Sequence, residues 1–283
     1  MSVADCSAGQ CGEPVFCQTN FQPTIPKGEA MRLKDKVVII TGAAGGIGSE
    51  AVSVCVKEGA RVLAADLKQE VVDQSIAKHG DRASGIAVDV SNSDSVKAMI
   101  DAAVERFGTL DVVINNAGIG VPKALLDEGL IANFELVTKV NQFGVLYGIV
   151  HGGKKLIELG KPGVIINTSS AYGTSAAELT FSYNVSKAAI DMMTKSAALE
   201  FGPHKIRVVA VAPGRVNTPI LQPLKEMGLW DHIRREHMRN EFTEPVEIAN
   251  VMAFLASDDA NCINGSTVAT EDGFLSFKYP LVK

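Results

Sequence analysis

Six short apolar runs, each leading into a stretch that reads as helix, set what this chain can fold into. They are KVVIIT (36–41), RVLAAD (61–66), GIAVDV (85–90), DVVIN (111–115), VIINTSS (164–170) and IRVVAVAP (206–213). The helical stretches run 47–58, 67–79, 94–107, 134–159, 183–201 and 245–257, and GSTVAT near the end offers a last strand. Runs without polar alternation indicate strands buried on both faces. Strands that alternate with helices and cross over with one hand stack into a parallel sheet covered on both sides. The expected fold class is therefore α/β, a single-domain doubly wound parallel sheet flanked by helices, over residues 32–283.

Residues 1–31 stand apart. They carry turn formers throughout and three cysteines, Cys6, Cys11 and Cys17, at irregular intervals with no CxxC pair and no nearby histidine. An irregular extension lying over the surface or a neighbouring subunit fits better than a metal centre, so no metal site is expected. Five cysteines in a chain with a large core do not make a disulfide framework. With no secretory pattern, the expectation is a cytoplasmic protein with reduced thiols. The formal net charge is −5 and the basic residues are not massed, which argues against nucleic acid and a polybasic membrane contact. No run approaches the roughly 18 apolar residues that a membrane span needs.

Directly after the first strand comes TGAAGGIG, residues 41–48. Gly42, Gly46 and Gly48 permit a tight turn and close backbone approach, and Ile47 opens the following helix, whose positive end suits a pyrophosphate. The spacing fits the general dinucleotide fingerprint only loosely. Asp66 ends the second strand, placed to accept from adenine ribose hydroxyls and to repel a 2′-phosphate. No Arg or Lys stands at 43, 44 or 67, although Lys68 is close, so NAD is favoured over NADP. Asp89 and Val90 would border the adenine, and Asn116, Ala117 and Gly118 of NNAG would cross beneath the cofactor.

FSYNVSK places Tyr183 and Lys187 four residues apart, on one face of a helix. Such pairs also decorate many solvated helices. TGAAGGIG, NNAG, NTSS, YNVSK and PGRVNT, in that order, resemble the short-chain dehydrogenase/reductase family from about residue 33 to the C-terminus. That resemblance implies a Rossmann fold, an NAD(H)-dependent oxidoreductase acting on an alcohol or ketone, and a homotetramer.

It also implies roles. Tyr183 would be the acid–base, its ionisation helped by the Lys187 ammonium and a positive nicotinamide. Ser170 would hold the substrate oxygen, with Ser169 as runner-up. Asn141 would sit at a helix distortion that keeps a relay water near Lys187, which would also bridge ribose hydroxyls. Pro213, Gly214, Val216 and Thr218 of PGRVNT would face the nicotinamide, Thr218 being equally open to a plain helix cap. The alternative is a catalytically silent, NAD-binding regulatory protein of the same fold. EDGF (271–274) departs from the family's double glycine, which bears on how the tail packs.

The segment after Thr218 carries Ile220, Leu221, Leu224, Met227, Leu229, Trp230 and Met238, an apolar lid suited to a bulky hydrophobic substrate such as a steroid, bile acid or terpenoid. Arg234, Arg235 and Arg239 are read as solvated rather than as partners of a substrate carboxylate.

Overall fold

The computed structural model describes residues 31–276, so Cys6, Cys11 and Cys17 lie outside the described residues. Within that range seven strands form one parallel sheet: β1 (Val37–Thr41), β2 (Arg61–Asp66), β3 (Ala83–Ala87), β4 (Val112–Asn115), β5 (Gly163–Thr168), β6 (Ile206–Pro213) and β7 (Thr267–Thr270). Their order is β3-β2-β1-β4-β5-β6-β7. Every residue of β1, β4, β5 and β6 is buried, which is why those runs lack polar alternation.

Helices α1 (Gly46–Lys57), α2 (Gln69–Ile76) and α9 (Pro245–Ala256) cover one face through Val52, Cys55, Val72, Ile248 and Met252. The other face is covered by α3 (Ser93–Phe107), α5 (Gly144–Glu158) and α6 (Phe181–Phe201) through Met99, Ile100, Ile149 and Ile190. Local signals fix the helix starts. Asn92 caps α3 by accepting from Ser95 N at 2.9 Å. At α9, Pro245 fills the first turn and Glu244 and Glu247 form a reciprocal capping box. Buried Arg207 on β6 donates to the carbonyls of Leu255 (2.8 Å) and Ser257 (3.0 Å), closing the end of α9 onto the sheet.

Three expectations need correction. The helix expected over 67–79 stops at Ile76, and tight turns carry the chain to Arg82. The third strand ends at Ala87, so Asp89 and Val90 lie in the loop beyond it, at the carboxyl edge where ligands bind. The single helix expected over 134–159 is two, α4 (Leu130–Val137) and α5, joined by one π-helical turn at Thr138–Phe143. That turn contains Asn141, and π-turns gather at functional sites. Among the described residues no helix is long and apolar enough to cross a membrane.

Candidate active site

The strand order reverses between β1 and β4, and the sequence-selected residues converge at the carboxyl ends of these strands and their neighbours. The glycine loop takes its shape from close contacts. Gly42 adopts φ +66°, and a Cβ there would lie 2.9 Å from the Cα of Ala117. A Cβ on Gly48 would fall onto the Gly42 carbonyl and 2.8 Å from Asn116 Nδ2. Asn116 Nδ2 itself donates to Thr41 O at 3.0 Å, so NNAG and the glycine loop are stitched together. Ile47 packs against the core layer, and Val90 packs against Gly144.

These residues fit a dinucleotide. α1 has Gly45 as its N-cap, with no side-chain cap and no acidic residue in its first turn, leaving its amides to an anion. Asp66 is fixed beside the loop by Ala44 N on Oδ2 (3.0 Å) and Leu67 N on Oδ1 (2.7 Å). Each oxygen keeps a lone pair for a ribose hydroxyl. Asp89 Oδ1 accepts from Ser91 N and Oγ within its own loop, which leaves Oδ2, the backbone and Val90 for an adenine. Gly118 points its Cα toward Asn141 Oδ1 and Lys187 Nζ, 3.3 and 3.6 Å from where a Cβ would sit.

Tyr183 and Lys187 share the inner face of α6, as their spacing predicts, with Lys187 Nζ 5.4 Å from the Tyr183 ring centroid. A buried chain of hydrogen bonds sets the helix on the sheet: Asn115 Nδ2 to Asn167 Oδ1 (2.9 Å), then Asn167 Nδ2 to Thr194 Oγ1 (2.9 Å). Asn141 donates to Ile119 O (3.0 Å) and Ser186 Oγ (3.0 Å), joining the π-turn to α6. Lys187 Nζ donates to Thr168 O at 2.7 Å.

The protein groups around the phenol set its electrostatics in the absence of a nicotinamide. Burial raises the pKa of Tyr183, and the opposing influence is a hydrogen bond with Ser170, not the Lys187 charge. The ammonium is turned to the Thr168 carbonyl, and burial brings Lys187 itself down to about 8. Burial thus favours the neutral phenol at Tyr183.

Ser170 Oγ accepts from Tyr172 N (3.2 Å) and stands next to the phenol, whereas Ser169 donates to Lys187 O (3.2 Å) and is 1% exposed. Of the two serines, Ser170 is the one at the cleft. Pro213 and Gly214 close β6, with Gly214 against Glu271, and Val216 is buried. Thr218 makes no side-chain cap; its hydroxyl donates to Val216 O (3.2 Å), and its methyl lies against Gly46.

Beyond Thr218 the segment forms α7 (Gln222–Glu226) and α8 (Trp230–Arg234). Ile220 lies against Gly120 at the edge of Tyr183, and Met227, Leu229 and Met238 are exposed, whereas Leu221 is buried. Trp230 stacks on Phe242 with 4.2 Å between ring centroids. Arg234 donates to Asn240 O (2.6 Å), Arg239 pairs with Glu247 (2.9 Å) and Asp272 (3.1 Å), and Arg235 is exposed.

Residues to which the sequence reading gave no such role pin this segment. Arg215 pairs with Glu236 (2.8 Å) and stacks over Tyr172 (5.3 Å), while Asp272 accepts from Met238 N and Arg239 N, both at 2.9 Å. The EDGF turn therefore anchors the segment that follows α8.

A parallel sheet with an uncapped helix at its glycine turn, and a tyrosine, lysine and serine gathered at the strand ends, is the architecture of a nucleotide-binding α/β protein. The chain belongs to the short-chain dehydrogenase/reductase family: the family model described as enoyl-(acyl carrier protein) reductase matches residues 42–275. It is 36% identical over 254 residues to 3beta-hydroxysteroid dehydrogenase 2 of Eggerthella lenta, covering 87% of this chain and 96% of that one. It is 34% identical over 242 residues to cis-4-hydroxycyclohexanecarboxylate dehydrogenase of Sinomonas cyclohexanicum, covering 85% and 96%. The crystal structure of a short-chain type dehydrogenase/reductase from Mycobacterium marinum superposes with a TM-score of 0.82 at 30% identity, over 88% of this chain and 98% of that one. The family comprises oxidoreductases that use nicotinamide cofactors, NAD or NADP.

Proposed function

We propose that this protein transfers hydride between NAD(H) and a bulky, hydrophobic secondary alcohol or ketone, of hydroxysteroid, bile-acid or terpenoid type. The observation that carries the reading is the joint placement of Ser170, Tyr183, Lys187 and Asn141 at one cleft under an apolar segment. The nicotinamide supplies or accepts the hydride. Gly42, Gly46, Gly48 and Asp66 hold its dinucleotide, with Asn116 bracing the loop. Ser170 orients the substrate oxygen. Tyr183 gives that oxygen a proton during carbonyl reduction and takes it back during oxidation. Lys187 binds ribose hydroxyls, and Asn141 holds the π-turn beside it.

The relatives named above are dehydrogenases of cyclic alcohols, which supports a ring-bearing substrate. Ile220, Leu224 and Met227 would cover its apolar face, since burying such surface is worth about 25 cal/mol per Å². A cytoplasmic homotetramer completes the proposal.

The test is a panel of 3-hydroxysteroids, bile acids and substituted cyclohexanols offered with NAD or NADP, read by absorbance of the reduced cofactor. Turnover of ring alcohols with NAD is expected. NAD binding without turnover of any member would favour the silent regulatory reading. Cofactor choice is tested separately by Asp66→Ala. Loss of the carboxylate removes repulsion toward a 2′-phosphate, so the preference for NAD should fall about tenfold or more. Unchanged discrimination in that variant moves selectivity to other residues.

A further inference from the structure

Two asparagines, one on α4 and one in the π-turn after it, grip the loop that leaves β4, and each is tied to a serine of α6. Asn141 takes both sides of Ile119: its Oδ1 accepts from Ile119 N at 2.8 Å and its Nδ2 donates to Ile119 O at 3.0 Å. The same Nδ2 donates to Ser186 Oγ at 3.0 Å. Asn133 repeats the arrangement two residues further along the loop. Its Nδ2 donates to Val121 O at 3.2 Å, and its Oδ1 accepts from Ser182 Oγ at 2.7 Å. The Val121 carbonyl can only accept, which fixes the orientation of this amide. Asn133 is 9% exposed and Ser182 3%, so the junction is shielded from water.

Ser182 and Ser186 stand one helical turn apart, and each immediately precedes a site residue, Tyr183 or Lys187. The two clasps therefore act on different parts of the cleft. Beside the Asn141 clasp is Gly118, next to the Lys187 ammonium. Beside the Asn133 clasp is Gly120, where a Cβ would lie 3.7 Å from Tyr183 Cδ2 and 3.2 Å from Ile220 Cδ1. The stretch 120–121 is thus the wall that faces the phenol, and the bond to Val121 O sets where it stands. The next hold along the chain is Lys123 N on Leu179 O at 2.8 Å.

We propose that Asn133 and Ser182 form a positioning pair that fixes the substrate wall of the cleft, while Asn141 serves the cofactor side. The functional consequence rests on the reading of Tyr183 as the group that meets the substrate oxygen. Without Asn133 the Val121 carbonyl loses its buried donor, and the loop must shift to find another. The substrate is then held less well against the phenol. The dinucleotide, held by the glycine turn and Asp66, keeps its site.

The experiment compares full-length wild type with Asn133→Leu, Ser182→Ala, Ser182→Thr and the Asn133→Leu/Ser182→Ala double variant. Amide hydrogen exchange reads the clasp directly. The Lys123 amide should exchange about tenfold faster in Asn133→Leu, with amides of the glycine turn unchanged. Kinetics with NAD and whichever 3-hydroxysteroid or substituted cyclohexanol wild type oxidises read the consequence. In Asn133→Leu the KM for the alcohol should rise about tenfold, with NAD affinity within about twofold of wild type. Ser182→Ala should give a smaller rise, and Ser182→Thr, which keeps the hydroxyl, should restore most of it. The double variant should be no worse than Asn133→Leu, because the two side chains act as one unit.

A role in packing alone would lower thermal stability and leave the alcohol KM and the Lys123 exchange where they are, and that result overturns the proposal. Equal losses of NAD and alcohol affinity overturn it as well, since the whole cleft would then have moved. If Asn133→Leu does not fold, Ser182→Ala against Ser182→Thr carries the same comparison. Failure of wild type to oxidise any ring alcohol would overturn the proposed function, while unchanged Lys123 exchange in Asn133→Leu would overturn the positioning pair.

Discussion

Tyr183→Phe is expected to bind NAD within a few-fold of wild type and to lose about 10²–10⁴-fold in turnover. The ring keeps its packing beside Lys187 and Ile220, so the cofactor pocket should be preserved. What disappears is the hydroxyl that meets Ser170 and that, on the proposed reading, passes a proton to the substrate oxygen. The direction of its pKa sharpens the expectation. Because burial holds the phenol above its ordinary value, carbonyl reduction has its acid in place at neutral pH. Alcohol oxidation needs the phenolate, so its rate should climb as pH rises, until loss of the Lys187 proton from about 8 upward weakens cofactor binding. Steady-state rates in both directions across pH, paired with cofactor titrations, check this. Near wild-type oxidation by Tyr183→Phe would remove the tyrosine from the chemistry.

Gly48→Ala should be the most damaging single methyl in the nucleotide half. The added carbon would lie on the Gly42 carbonyl oxygen and 2.7 Å from that carbonyl's carbon, with Asn116 Nδ2 at 2.8 Å behind it. Nothing there is the free end of a flexible chain. Either the loop opens away from α1 or Asn116 gives up its bonds to Thr41 and Gly42. Overpacking of this kind costs about 1–3 kcal/mol. Because the same loop has to approach the pyrophosphate, dinucleotide affinity should fall by about tenfold or more. Thermal unfolding and NAD titration measure the two losses. Full affinity in a folded Gly48→Ala protein would show that the cofactor does not use this turn.

Much of the fold was legible in the chain because its cause is local. Buried parallel strands demand uninterrupted apolar runs, and VVIIT, VVIN and IRVVAVAP supply them. The i, i+4 placement of Tyr183 and Lys187 follows from helix geometry alone. The glycine turn and Asp66 were equally readable, since a strand end, a turn and a helix start are neighbours in sequence.

What sequence could not supply were properties set by groups brought together from distant segments. The direction of the Tyr183 pKa depends on how deeply α6 is covered, and the aim of the Lys187 ammonium depends on where β5 leaves the Thr168 carbonyl. The π-turn at Thr138–Phe143 is invisible in helix periodicity, because one inserted residue changes the backbone pairing without changing the apolar pattern. The anchoring of the 222–240 segment through Asp272 and Glu236 joins residues that no spacing rule connects. By itself the sequence determined the parallel sheet and most of its helices, because backbone sterics and apolar burial act over a few residues. Only the tertiary structure decided which way burial moves the Tyr183 and Lys187 pKa values and where the Lys187 ammonium is aimed, because desolvation and hydrogen bonding depend on distance in space.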